Sequence, residues 1–173
     1  MPEVLIYYYN WISPLGKLLL VAGDEGLRAM RFEGREKFSP PQPDWIYGEA
    51  PFRELMKQLE EYFAGKRFDF DVPLAPPGTV FQHEAWEGLK KIPYGETISY
   101  AELARRIGRP KAVRAVGAAN GANPIPILIP CHRVIGSNGS LVGYGGGLDI
   151  KKHLIALEKE QRAKTLPQGS LFN

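Results

Sequence analysis

Cysteine is almost missing from this chain of 173 residues, which has a single one, Cys131. One thiol excludes any disulfide within the chain, and a zinc site built on thiolates needs more than one. His83, His132 and His153 do not stand at the spacing of metal ligands on a helix. No metal and no other cofactor is expected. Long hydrophobic runs are missing too, since no apolar stretch reaches the ~20 residues of a membrane-spanning helix. Met1-Pro2-Glu3-Val4 does not open a basic segment followed by an apolar core. The chain is expected to work away from membranes, in the cytoplasm on the nucleoid, or in the nucleus if its source is eukaryotic. Charge of one sign is scarce overall, and a net +3 is too small to argue a nucleic-acid partner. Its distribution says more: between Ala101 and Arg133 stand Arg105, Arg106, Arg109, Lys111, Arg114 and Arg133 against Glu102 alone.

What is present fits an ordinary globular protein, with 44% hydrophobic residues. Short apolar runs at Val4 to Tyr9, Leu18 to Ala22 and Leu27 to Phe32 are broken by Ser13-Pro14-Leu15-Gly16 and Gly23-Asp24-Glu25-Gly26, the pattern of an antiparallel meander. Phe38 to Tyr47 is proline-rich and is expected to be a loop. Phe52, Leu55, Met56, Leu59, Tyr62 and Phe63 then recur at helical spacing, with Gly65 as the stop. Ala75-Pro76-Pro77-Gly78 favours extended backbone and marks a boundary. We expect an N-terminal α/β domain over residues 1–75, a second domain over 79–160 and a tail over 161–173.

The second domain reads as helical. Phe81, Ala85, Trp86 and Leu89 share one face, and Ile92-Pro93-Tyr94-Gly95 ends that helix. Ser99 is an N-cap with Glu102 completing a capping box for a helix to about Ile107. Gly108-Arg109-Pro110 forms a tight turn, and a second helix is expected to begin near Pro110 and run to Ala119. Two short helices joined this way form a helix-turn-helix. Ala115, Gly117, Ala118 and Ala119 are too small to read base edges, so the second helix suits close approach in the minor groove.

Cys131 lies in Ile127-Leu128-Ile129-Pro130-Cys131-His132-Arg133-Val134. A thiol beside a histidine and an arginine has the neighbours of a nucleophile, while a lone free cysteine is otherwise a small buried hydrophobe. Around it stand Asn123-Pro124-Ile125-Pro126 upstream and Gly139, Tyr144, Gly146, Gly147 and Leu148 downstream. Further back come Gly78-Thr79-Val80-Phe81-Gln82, Trp86 and Thr97-Ile98-Ser99-Tyr100. Through these residues the C-terminal half resembles the O6-alkylguanine-DNA alkyltransferases, suicide repair proteins that take an alkyl group from damaged guanine onto cysteine.

The resemblance implies a ribonuclease H-like N-terminal domain without catalytic carboxylates and a mainly α, winged-helix-like C-terminal domain. It implies a single-turnover protein that acts as a monomer on double-stranded DNA, takes alkyl groups from O6-alkylguanine, with O4-alkylthymine a candidate second substrate, and flips the damaged base. It makes Cys131 the nucleophile, His132 its base through a water, Glu158 the group that orients His132, and Tyr100 a donor to guanine N3. Arg114 becomes the finger that fills the emptied stack, with Ala115, Gly117, Ala118 and Arg133 also on the DNA and Asn123 a hinge behind it. Val134, Tyr144, Gly145, Gly146 and Lys151 line the pocket. Some relatives carry a zinc in the N-terminal domain, but its ligands have no counterpart here. Gly145 stands where many relatives have serine, and Asn120 where an apolar residue is more usual. Relatives that bind alkylated bases without repairing them lack the cysteine, so its presence argues against that alternative, and a cysteine hydrolase would need an oxyanion hole. The peptide Gln168-Gly169-Ser170-Leu171-Phe172 resembles a sliding-clamp-binding motif; a frayed tail is the other reading.

Overall fold

The computed structural model describes residues 4–35 and 38–165. The clamp-like peptide Gln168 to Phe172 lies outside them. The chain forms two compact units: one runs to Gly78 and takes in Pro124–Leu128, and the other joins Thr79–Asn123 to the chain from Ile129 onward. No helix among the described residues is long and apolar enough to cross a membrane.

In the first unit, β1 (Tyr7–Ser13), β2 (Gly16–Gly23) and β3 (Gly26–Phe32) form the expected antiparallel meander. β2 is central in the order β3-β2-β1-β4, which explains its unbroken apolar run. Leu19 and Val21 pack with Ala29 on one face, covered by Ile6, Tyr8, Phe38 and Trp45. The proline-rich segment therefore supplies part of a core. Its end is β4 (Ile46–Tyr47), which pairs parallel to Tyr7 and Tyr8, where the sequence reading expects only loop. Helix α1 (Arg53–Phe63) buries Leu55, Met56, Leu59 and Tyr62, and its Phe63 meets Trp11 of β1 at 6.3 Å between ring centroids. Gly26 has φ +143, and a Cβ there would lie 2.6 Å from the Pro73 carbonyl oxygen. Only glycine lets the Leu27 N–H reach that carbonyl at 2.9 Å.

The segment before the cysteine holds a backbone outlier. Leu128 N–H donates to Pro126 O at 2.9 Å across Ile127, whose φ is 75. This is a γ-turn of the strained hand, costing on the order of 1–3 kcal/mol for a β-branched residue. Burial of Ile125, Ile127 and Leu128, at 0%, 1% and 7% exposure, holds it in place.

In the second unit, helix α2 (Val80–Lys90) starts at a full capping box between Thr79 and Gln82. Trp86 is buried and its indole N–H donates to Ala119 O at 2.9 Å, fixing α2 to α4 (Val113–Gly121). α3 (Tyr100–Arg106) is capped by Ser99, whose hydroxyl accepts from Glu102 N–H. Glu102 does not close the box, because its carboxylate is taken by Arg105 and Arg106. α4 begins at Val113, later than expected. The Ala112 N–H closes a turn on Arg109 O, so Pro110 presets the turn's second position instead of opening a helix. Two elements escaped the sequence reading: β5 (Ile98–Ser99) and β6 (Val134–Ile135), paired in parallel. The last helix, α5 (Leu148–Thr165), buries Ile150, Lys151, Leu154 and Glu158.

Candidate active site

Cys131 sits on a short helical turn, Cys131–Arg133, whose entry is a second γ-turn of the relaxed hand. Pro130 has φ −79 and ψ 66, close to the favoured γ geometry, and Cys131 N–H donates to Ile129 O at 2.7 Å. Proline presets that φ, so the ring helps to aim the residue that follows it. Asn123 donates from Nδ2 to Ile129 O at 2.7 Å and also hydrogen-bonds the Cys131 thiol. One amide thus serves both the Ile129 carbonyl and the thiol.

The thiol is buried, and burial pushes its pKa up, against weaker opposition from Asn123 and the Lys151 charge. Cys131 therefore rests as a thiol and needs a base to react. His132 is that candidate. It is fully buried, and desolvation holds its pKa below the ordinary value despite the neighbouring Glu158. His132 is neutral. Its Nε2 lies 2.7 Å from Glu158 Oε2, while Nδ1 is buried without a partner among the described residues. Burial raises the Glu158 pKa, but His132 and Arg133 outweigh it and hold the carboxyl far below its usual range. An ionised Glu158 accepts from Nε2–H, which leaves Nδ1 as a bare acceptor.

Arg133, expected on the DNA, is buried with only 7% of it exposed. Its Nε donates to Glu158 Oε1 at 2.8 Å, its Nη2 to Oε2 at 3.0 Å and its Nη1 to Ile92 O at 2.7 Å. The fork of the guanidinium fits both carboxylate oxygens at once, leaving one strong site for His132. Tyr94 lies under the guanidinium at 5.7 Å, and Gly95 N–H reaches Glu158 Oε1 at 3.3 Å. Ile92-Pro93-Tyr94-Gly95, read from sequence as a helix stop, is the cradle of this ion pair. Its signal was the glycine, which has φ +81. Gly95→Ala forces a Cβ into positive φ, 3.2 Å from Glu158 O and 2.7 Å from the Arg162 side chain. We expect it to cost about 1–2 kcal/mol in chemical denaturation and to slow reaction at Cys131.

On the other side of the thiol, the Tyr100 hydroxyl donates to Val142 O at 3.0 Å. Lys151 donates to the same carbonyl at 2.7 Å, with its Nζ 5.9 Å from the Tyr100 ring centroid. Lys151 has 0% exposure rather than a solvated side chain, and burial lowers its pKa while Cys131 opposes the shift. Val134, on β6, is fully buried. The Tyr144 hydroxyl is buried with no hydrogen-bond partner among the described residues, and desolvation raises its pKa well above the ordinary value. In its loop Gly146 is buried and Gly145 exposed; the positive φ values fall on Gly143 and Gly147 instead.

α4 carries the remaining candidates. Arg114, Ala115 and Ala118 are exposed and Gly117 half-buried, while Val116, Ala119 and Asn120 face inward. The basic stretch around them is less bare than the sequence implies. Glu102 pairs with Arg105 and Arg106, and Arg109 reaches Glu84 of α2 at 3.1 Å. Arg114 and Lys111 have no such ion pair among the described residues.

Comparison with known proteins agrees with this geometry. Residues 6–76 match the ribonuclease-like domain, and residues 80–160 the DNA binding domain, of the 6-O-methylguanine DNA methyltransferases. A methylated-DNA--protein-cysteine methyltransferase of Methanosarcina acetivorans is 54% identical over 154 residues, which is 88% of this chain and 98% of that protein. The crystal structure of Mycobacterium tuberculosis O6-methylguanine methyltransferase superposes with TM-score 0.85 at 43% identity, covering 98% of this chain and 100% of that one. Mycobacterium tuberculosis OGT in complex with DNA gives TM-score 0.84 at 46% identity, over 90% of this chain and 94% of that chain. With both domains matched along nearly the whole length, and a buried cysteine set beside a Glu-His pair, the chain belongs to the 6-O-methylguanine DNA methyltransferase family.

Proposed function

We propose that the protein repairs DNA by moving the alkyl group of O6-alkylguanine onto Cys131, once per molecule. The observation that carries this reading is the neutral, buried His132, tied to ionised Glu158 through Nε2 and bare at Nδ1, next to the chain's one thiol. His132 takes the thiol proton at Nδ1 as the sulfur attacks the alkyl carbon. The S–C bond forms, the C–O6 bond breaks, and its electron pair goes to guanine. Tyr100 gives a proton to guanine N3, so the base leaves neutral. The imidazolium and phenolate left behind balance in charge and recombine. Lys151 beside the sulfur favours the developing thiolate. Tyr144 packs against the base, while the N–H groups of Gly145 and Gly146 supply donors toward O6, and Val134 closes the floor.

Reaching O6 requires the nucleotide out of the stack. α4 enters the minor groove, where Ala115, Gly117 and Ala118 allow close approach and Arg114 fills the gap. Arg114→Ala is expected to slow transfer from an O6-methylguanine duplex by roughly 10- to 100-fold, the equivalent of ~1–3 kcal/mol of lost stacking support. Free O6-benzylguanine, which needs no extrusion, should react with that variant at the unaltered rate. Equal losses on both substrates would remove Arg114 from extrusion.

A further inference from the structure

One buried polar side chain has no part in this mechanism. Asn120 lies on the inner face of α4 with 3% exposure. Its Nδ2 donates to the Cys131 carbonyl oxygen at 3.5 Å, a long bond that fixes which end of the amide faces the nucleophile's backbone. The Tyr100 ring packs on the same helix one turn earlier, 3.8 Å from where a Cβ on Gly117 would stand, and the Asn120 amide acts on the Tyr100 hydroxyl as a donor, opposing the rise in pKa that burial imposes on that phenol. Its Oδ1 is buried without a partner among the described residues. An unsatisfied buried carbonyl costs on the order of 1–3 kcal/mol, so an apolar side chain here would favour stability alone.

The donor pattern indicates what the amide does. A phenol has one proton to give, and at rest Tyr100 gives it to Val142 O. For the leaving guanine, that proton has to turn to the base. Nδ2 can only donate, so a phenolic oxygen held by Nδ2 has no proton acceptor on that side, and its own O–H stays available for substrate. The Cys131 carbonyl anchors the other end of the contact, linking the proton donor to the nucleophile.

We propose that Asn120 is a positioning residue for Tyr100: held at the Cys131 carbonyl, its amide donates to the phenolic oxygen and leaves the O–H proton for the departing guanine. The inference rests on the alkyl-transfer reading above. It is tested by single-turnover rates of Cys131 alkylation from a duplex carrying one O6-methylguanine. The proteins compared are wild type, Asn120→Leu, Tyr100→Phe and the double variant, each also treated with iodoacetamide. Asn120→Leu should slow transfer about 10-fold, the worth of one hydrogen bond. It should add no further loss in the Tyr100→Phe background. Its reaction with iodoacetamide should stay within about twofold, because iodide departs without a proton.

An unchanged transfer rate in Asn120→Leu, or a loss that adds to that of Tyr100→Phe, overturns the proposal. So does a matching loss with iodoacetamide, which would make Asn120 a support for the Cys131 backbone only. Asn120→Ala, which only removes atoms, gives the same comparison if leucine does not fit. Absence of transfer in wild type would instead overturn the alkyl-transfer reading itself.

Discussion

Replacing Cys131 by alanine is expected to abolish alkyl transfer entirely while leaving affinity for an O6-methylguanine duplex within about threefold. The two effects separate because the thiol does chemistry that no neighbour can take over. His132 and Glu158 are committed to each other, and Lys151 spends its ammonium on Val142 O. In the proposed reading, extrusion and base recognition use other atoms, on α4 and in the loop of Tyr144. Losing one buried sulfur leaves a small void, costing on the order of 1 kcal/mol, so the variant folds and binds. Gel-shift affinity and methyl counting on the same preparation check both halves. Residual transfer in Cys131→Ala would mean a second acceptor.

The second large effect is expected from Glu158→Gln, which should slow transfer by about 10²- to 10⁴-fold, the worth of general-base assistance. The reason is the two-sided use of the carboxylate. Arg133 is a donor only and will claim the glutamine's single oxygen, turning its NH₂ toward His132 Nε2. The imidazole proton must then move to Nδ1, the atom that has to receive the thiol proton. The histidine is held in the wrong tautomer with its position unchanged. Glu158→Ala leaves the Arg133 charge buried without its partner and should lower stability by about 3–5 kcal/mol. Single-turnover kinetics at neutral pH, with denaturation curves beside them, separate the chemical loss from the structural one.

The same pair sets an acid limit. Glu158 has a depressed pKa in the folded protein, so its stabilising contribution is complete above its ordinary value of 4.5 and is lost as pH falls below that. His132 is buried neutral with a lowered pKa, so protonation favours the unfolded chain once pH drops under 6.5. Stability should therefore begin to fall near pH 6.5 and fall more steeply below 4.5, with the steeper phase weakened in Glu158→Gln. Urea denaturation at a series of pH values measures this; a flat profile from pH 7 to pH 4 would contradict it. Glu102, held down to about 2 by hydrogen bonds from Arg105 and Arg106, sits on the surface. Its contribution is screened by salt, whereas that of Glu158 is not.

What the sequence reveals of this protein divides by range. The meander, α1 and the Ser99 cap are legible because hairpin turns, helical spacing and capping act within a few residues. The two-residue strands β4, β5 and β6 are invisible to such signals, since each exists only through a partner distant in sequence. Pro110 is ambiguous locally: a helix start and a turn's second position ask the same φ of it, and the Arg109 carbonyl decides. In the site, Cys131 and His132 stand out as a sequence pair, but the internal partners of Arg133 beside them do not. A charge in a basic stretch suggests phosphate, and only the fold brings Glu158 and Ile92 to it. Lys151 and Glu158 illustrate the converse, as polar residues that α5 buries where its periodicity suggests apolar ones.

The most direct test of the account is mass spectrometry of the intact protein and its Cys131 peptide after incubation with a duplex carrying one O6-methylguanine. We predict one methyl equivalent per molecule, located on Cys131 and saturating there, with unmodified guanine restored in the DNA. An unmodified protein that still binds the lesion, or a methyl group on any residue other than Cys131, would contradict it.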